Sequence, residues 1–186
     1  MTMRIRGTLG VLLAALCAAA AAHGPGENHN TAYVPPDYVQ PPPMAPGQAR
    51  VPAAFAHEVW LVDQSNSFAK TYGGTIHVYD GAALRANASA AAAEVIDLSG
   101  ETAALCMAQT GAFPVRPHML VFNRTDTHAV LAFVASGHVV FFDARARQPL
   151  RCLRTEPGVG GIRQAHAVWP TPDDRYVLVA NQNGKK

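Results

Sequence analysis

Two stretches, PHMLVFNRTDTHAVLAFVASGHVVFFDA at residues 117–144 and AHAVWPTPDDRYVLVANQNGKK at residues 165–186, carry one local pattern. In each, a His is the second residue of a strand-like run. A polar turn follows (123–127 and 170–175), then a second apolar run (129–135 and 176–180) and a small-residue turn closing on Gly137 or Gly184. His118 and His166 stand 48 residues apart, a period that belongs to four-stranded sheet units and not to helical arrays. A weaker copy lies upstream. Residues 58–62 read as a strand and 63–74 as a long turn, and GGTIHVYDGAAL aligns with SGHVVFFDARAR so that Gly74 falls on Gly137 and Asp80 on Asp143. Gly74 and Gly137 are separated by more than one such period, so the pattern implies an insertion, supplied by the Ala-rich run 86–93 and by residues 100–115.

The strand assignments rest on β-branched and aromatic runs bounded by turn residues. Residues 139–142 and 177–180 are continuously apolar, as expected of strands covered on both faces. Thr171-Pro172-Asp173-Asp174 is a turn with a mechanism, since Pro presets φ and Asp side chains cap backbone amides. Helix-favouring composition is confined to 82–94 and 101–109. Trp60, Trp169, Met107 and Met119 read as core or sheet-interface packing.

Composition and the N-terminus frame this repeat. With 186 residues, 49% hydrophobic and 15% charged, the chain has the make-up of one globular domain. A net charge of +2 gives no electrostatic reason to expect nucleic acid, and Arg145, Arg147, Arg151 and Arg154 read as a solvated edge. Arg4 and Arg6, the apolar stretch 9–16 and Ala20-Ala21-Ala22 have the layout of a cleaved export signal over residues 1–22. That apolar stretch is short for a permanent membrane span, and no transmembrane helix is expected once the signal is removed. Leu16 before Cys17 is unsuited to lipoprotein processing. Residues 23–56 are a Pro- and Gly-rich leader with no apolar period, read as a tether; its His23 and His29 are weak metal donors at most. The sheet repeat then occupies 57–186, with the insertion at about 82–115.

Two cysteines remain after signal removal, Cys106 and Cys152. In an oxidising compartment they either pair, pinning the insertion to an outer strand, or stay as two buried thiols; the sequence leaves both open. No CxxCH motif is present, which excludes c-type haem attachment in this segment.

The run GHVVFFDARARQPLRCLRTEPGVGGIRQAHAVWPTPDDRYVLVANQNGKK resembles the YVTN-type, lactonase-like seven-bladed β-propellers of exported bacterial proteins. The corresponding elements here are Gly137, the strand 139–143, the outer strand 150–154, the Gly-rich loop 158–161, the inner strand 166–169, Pro172-Asp173 and Val179-Ala180-Asn181. The resemblance covers about residues 58–186. It implies an all-β fold of about two and a half four-stranded antiparallel blades, an N-terminal piece of a longer periplasmic or secreted protein whose remaining blades lie elsewhere in the parent chain. Function stays open, since such propellers host scaffolds, redox enzymes and hydrolases.

In a blade, the loop entering the inner strand and the turn between the second and third strands open on one face. That places His118 and His166 beside the channel and His138 farther out, and puts Gln64, Ser65 and Asn66, and Asn181, Gln182 and Asn183, in matching turns. The first reading is a scaffold binding a small molecule or protein on a His-lined face. The second is part of an oxidoreductase in which His118, His166 and His138 hold a transition metal such as copper, which neutral imidazole suits. The third is a lactonase-like hydrolase, although no serine has a nucleophile-elbow context. Arg116 and Arg163 precede the two histidines, either to hold an anionic group or to pair with Asp126 or Asp174.

Overall fold

The computed structural model describes residues 55–183. The stretch 1–22 expected to be an export signal, nearly all of the expected leader and residues 184–186 lie outside the described residues. The described chain is mostly β, in three antiparallel sheets. The first has the order β1 (Glu58–Asp63), β2 (Thr75–Asp80), β3 (Ala93–Asp97); the second, β4 (Pro117–Phe122), β5 (His128–Phe133), β6 (His138–Asp143), β7 (Gln148–Arg154); the third pairs β8 (Ala165–Pro170) with β9 (Val177–Asn181). A short helix α1 (Gly81–Ala86) follows β2, and α2 (Glu101–Thr110) follows β3.

The second sheet explains the continuously apolar strands. Along β5, Ala129, Leu131 and Phe133 point into a core shared with Ile76, Val78, Ile96 and Leu98 of the first sheet and the loop after it. Their neighbours Val130 and Ala132 point the other way, into a core with Ala165 and Val168 of β8. Side chains alternate across a strand, so a strand covered on both sides must be apolar at every position. Among the described residues the third sheet is covered on one side only. Val168 is buried, but Trp169 and its cross-strand partner Leu178 are 60% and 63% exposed. The sheet-interface role expected for Trp169 is therefore not seen: it alternates with Val168 and faces away from the second sheet.

The sequence repeat is visible in backbone hydrogen bonds. Asn123 N donates to His128 O and Asp126 N to Asn123 O; at the equivalent positions of the next copy, Thr171 N donates to Tyr176 O and Asp174 N to Thr171 O. Asp126 and Asp174 share a left-handed φ of 54° and 55°. Short polar side chains tolerate that conformation, and here they end the same tight turn.

Three expectations change. The Ala-rich stretch 82–94 is helical only to Ala86, where Asn87 N closes the last turn on Ala83 O. Residues 93–97 instead pair with β2, Thr75 opposite Asp97 through Tyr79 opposite Ala93, because burying Ile96 in the first core outweighs alanine's helix propensity. Part of the expected insertion is thus integral sheet, and the added element is α2. Finally, Arg147 is no solvated edge residue: it is 5% exposed and bridges Glu58 and Glu94 of the first sheet.

Cys106 of α2 and Cys152 of β7 form a disulfide, their Cα atoms 5.1 Å apart. Beside it, the side-chain oxygen of Gln109 accepts from Cys152 N at 2.8 Å. The helix is thereby fixed along the outer strand of the second sheet.

Candidate functional site: a paired-histidine rim

His118 and His166 occupy the same irregularity in two sheets. Pro117 pairs with Phe133 and Met119 with Ala132, leaving His118 as the extra residue of its strand; Ala165 pairs with Asn181 and Ala167 with Ala180, leaving His166 likewise. A bulge adds one residue to a strand and re-aims its side chain, here out of the core-facing alternation. Both rings are exposed and lie beside each other, centroids 4.5 Å apart with planes inclined at 53°.

Glycines set the spacing. Gly74 has φ of +122°, and a Cβ there would stand 2.4 Å from Pro117 Cγ; Gly137 has φ of +71°, and its Cβ would stand 2.5 Å from Arg163 Cβ. In both sheets a side-chain-free turn lets the chain entering the next His-bearing strand come against it.

Gln64, one residue beyond β1, brings its side-chain nitrogen to 2.5 Å from His118 Nδ1. With the amide as donor, Nδ1 accepts and the neutral ring carries its proton on Nε2. The rim therefore presents two imidazoles, one with its tautomer set by a neighbouring sheet.

The other expected site residues are placed as follows. His138 does not join the pair: it is fully buried, Nδ1 lying 2.9 Å from Ser136 Oγ and Nε2 2.9 Å from Thr110 Oγ1 of α2. Desolvation, followed by the positive charges of Arg154 and Arg163, lowers its pKa from 6.5 to about 4. Arg163 turns back to donate to the Thr155 carbonyl, not to Asp174. Arg116 is half-buried with φ of 58°, and its carbonyl accepts from Val134 N at 2.9 Å. Asn66 is 4% exposed, so it lies below the surface. Asn181 donates to the Glu156 carbonyl at 3.0 Å and Asn183 to Gln164 Oε1 at 2.5 Å, while Gln182 is exposed. The arrangement thus brings together His118, His166 and Gln64 and separates them from His138.

Among the described residues no group of three or more His, Cys, Asp or Glu is placed to hold a metal ion. Two ring nitrogens can take a borderline-soft cation only in company with further donors. Partners that sequence reading missed are Thr110 and Ser136, which hold His138; nothing in the spacing of Thr110 and His138, 28 residues apart, marks them as neighbours. No family model matches the chain, and no match was found among curated proteins or solved structures.

The buried neutral state of His138 predicts a pH effect on stability. Its folded pKa lies below the unfolded value, so between about pH 6.5 and 4 the unfolded chain binds a proton that the folded chain does not. The contribution is complete above pH 6.5 and is lost as pH falls towards 4, about 3 kcal/mol in all. Urea unfolding of wild type and His138→Gln at pH 7 and pH 4.5 checks it. The variant's curve should be flatter over that interval, and equal slopes would remove His138 as the cause.

Proposed function

We propose that this chain is a segment of an exported β-propeller scaffold that binds a ligand on the rim carrying His118 and His166. The observation that carries the reading is the placement of the two imidazoles, from equivalent bulges in successive copies of the repeat, side by side and exposed. A histidine needed only for packing would follow its strand's alternation inward, whereas these are turned out by an extra residue. The propeller reading draws support from the repeated turn and register and from the four-stranded second sheet sandwiched between two others. Export draws support from the signal-like N-terminus and from the Cys106–Cys152 disulfide, which persists in oxidising compartments.

Paired imidazole rings next to an amide suit a small polar ligand held by hydrogen bonds from ring N–H groups, or one coordinating to ring nitrogens. Acetate and Zn²⁺ are probes for those two modes. Titrating each into the full chain and following histidine ring resonances by NMR should move His118 and His166 together, saturably, with His138 unmoved. His118→Ala should weaken the effect at His166 by at least about tenfold. Independent or non-saturating shifts with both probes would end the reading.

A further inference from the structure

Two arginines from different segments converge on the turn between β5 and β6, where Ser136 and Gly137 lie. Arg154, the last residue of β7, pairs with His138 in register and donates through Nε to the Ser136 carbonyl at 3.0 Å. Thr155 N donates to the Gly137 carbonyl at 2.8 Å, and Arg163, from the loop entering β8, turns back to the Thr155 carbonyl. Gly137 permits the convergence, since a Cβ there would stand 2.5 Å from both Arg163 Cβ and Thr155 Oγ1. The charges are close enough to act on one another. Burial, then the charges of Arg154 and Arg163, lower the pKa of His138; burial, then the charge of Arg163, lowers that of Arg154. No carboxylate among the described residues forms an ion pair with either guanidinium. Arg154 is exposed and Arg163 half-buried, and each uses one of its N–H groups on a carbonyl. Beside them, Thr155 Oγ1 is buried with no hydrogen-bond partner among the described residues, a state that is rare for a buried hydroxyl.

We infer that Arg154, Arg163 and Thr155 form a binding site for a phosphate dianion, free or carried as the phosphoryl group of a small molecule. Two guanidiniums held near each other by backbone carbonyls repel, and a doubly charged oxyanion between them turns that repulsion into two attractions. The guanidinium fork matches a pair of phosphate oxygens, and two forks engage a tetrahedral group that offers more than two. A hydroxyl supplies one further donor. Acetate fits less well, because its single charge and two oxygens satisfy one fork and leave the other guanidinium without a counter-charge. The site is built around the β5–β6 turn and not around the histidine pair, so it does not depend on what His118 and His166 bind.

The test titrates inorganic phosphate and glycerol 2-phosphate into the full chain at constant ionic strength and about pH 8, where both are doubly charged. NMR should show saturable shifts of the Arg154 and Arg163 Nε–H signals and of the His138 ring, with a Kd of about 1 mM or tighter. Acetate at the same concentration should leave all three in place. Similar affinity for the two probes assigns recognition to the phosphoryl group, and tighter binding of inorganic phosphate assigns the site to the free ion. Arg154→Gln and Arg163→Gln should each weaken phosphate by at least about tenfold, and Thr155→Val by about threefold. Arg145→Gln, which alters an exposed arginine at the far end of β6 and β7, should change nothing. Non-saturating shifts, or an equal loss in Arg145→Gln, would mean an adventitious ion only and overturn the inference. So does a tenfold gain in affinity in Glu156→Gln, which would show that this neighbouring carboxylate already neutralises the pair. Arg154 is exposed, so Arg154→Gln decides the matter even if Arg163→Gln fails to fold: wild-type affinity there removes the site.

Discussion

Replacing Arg147 by Met should lower the unfolding free energy by about 3 kcal/mol, although Arg147 lies in a turn between β6 and β7. The guanidinium is buried and binds Glu58 of β1 at 2.5 Å and also Glu94 of β3, with the Phe55 ring 5.4 Å from its centre. Glu58 in turn accepts from Trp60 Nε1 at 2.6 Å. One cation from the second sheet thus holds two carboxylates of the first, each with only a fifth to a quarter of its side chain exposed. Removing it leaves those carboxylates facing one another in a poorly solvated crevice, which costs more than the attraction itself contributed. Their partial exposure sets the estimate at the low end of the range for broken buried pairs. Denaturant unfolding of Arg147→Met, Glu94→Gln and the double variant checks it. The double variant should recover part of the loss, with a coupling of about 1 kcal/mol or more. Additive losses would mean that the cluster does not act as a unit.

The second large effect is expected from the disulfide. Cys106 and Cys152 are 46 residues apart in sequence, and closing a loop of that length in the unfolded chain corresponds to about 4 kcal/mol by chain entropy. Both sulfur-bearing residues are buried, at 0% and 1% exposed, so the folded protein should resist mild reductant and lose the bond only on unfolding. The Cys106→Ala/Cys152→Ala variant should unfold at markedly lower denaturant, and wild type treated with reductant in denaturant should match it. The local effect should reach His138, because α2 also supplies Thr110 to that ring. A variant with wild-type stability would show that Gln109 and the packing of α2 suffice without the covalent link.

Much of this fold was legible in the residues. Strand runs, the polar turns at 123–127 and 170–175, the special turn glycines and the repeat period are local chemistry recurring along one chain, and backbone register reproduces them at the same offset. The helix at 101–110 was legible for the same reason, since its composition and its end at Gly111, with φ of 71°, are local properties. The alanine run 86–93 was misleading because propensity there is a small per-residue preference, and strand pairing with β2 buries Ile96.

For the site, the sequence by itself determined that His118 and His166 open equivalent strands, since a repeat fixes equivalent positions. Only tertiary structure decided that the two rings touch, that Gln64 joins them, and that His138 is withdrawn to a buried pocket of hydroxyls. Those outcomes depend on how closely one sheet approaches the next, and on contacts between residues 28 to 54 positions apart. The same holds for Arg147, whose glutamates lie 53 and 89 residues away. Local patterns record what each segment prefers on its own; which charges and rings meet is set by the packing of sheets, where burial and desolvation choose the partners.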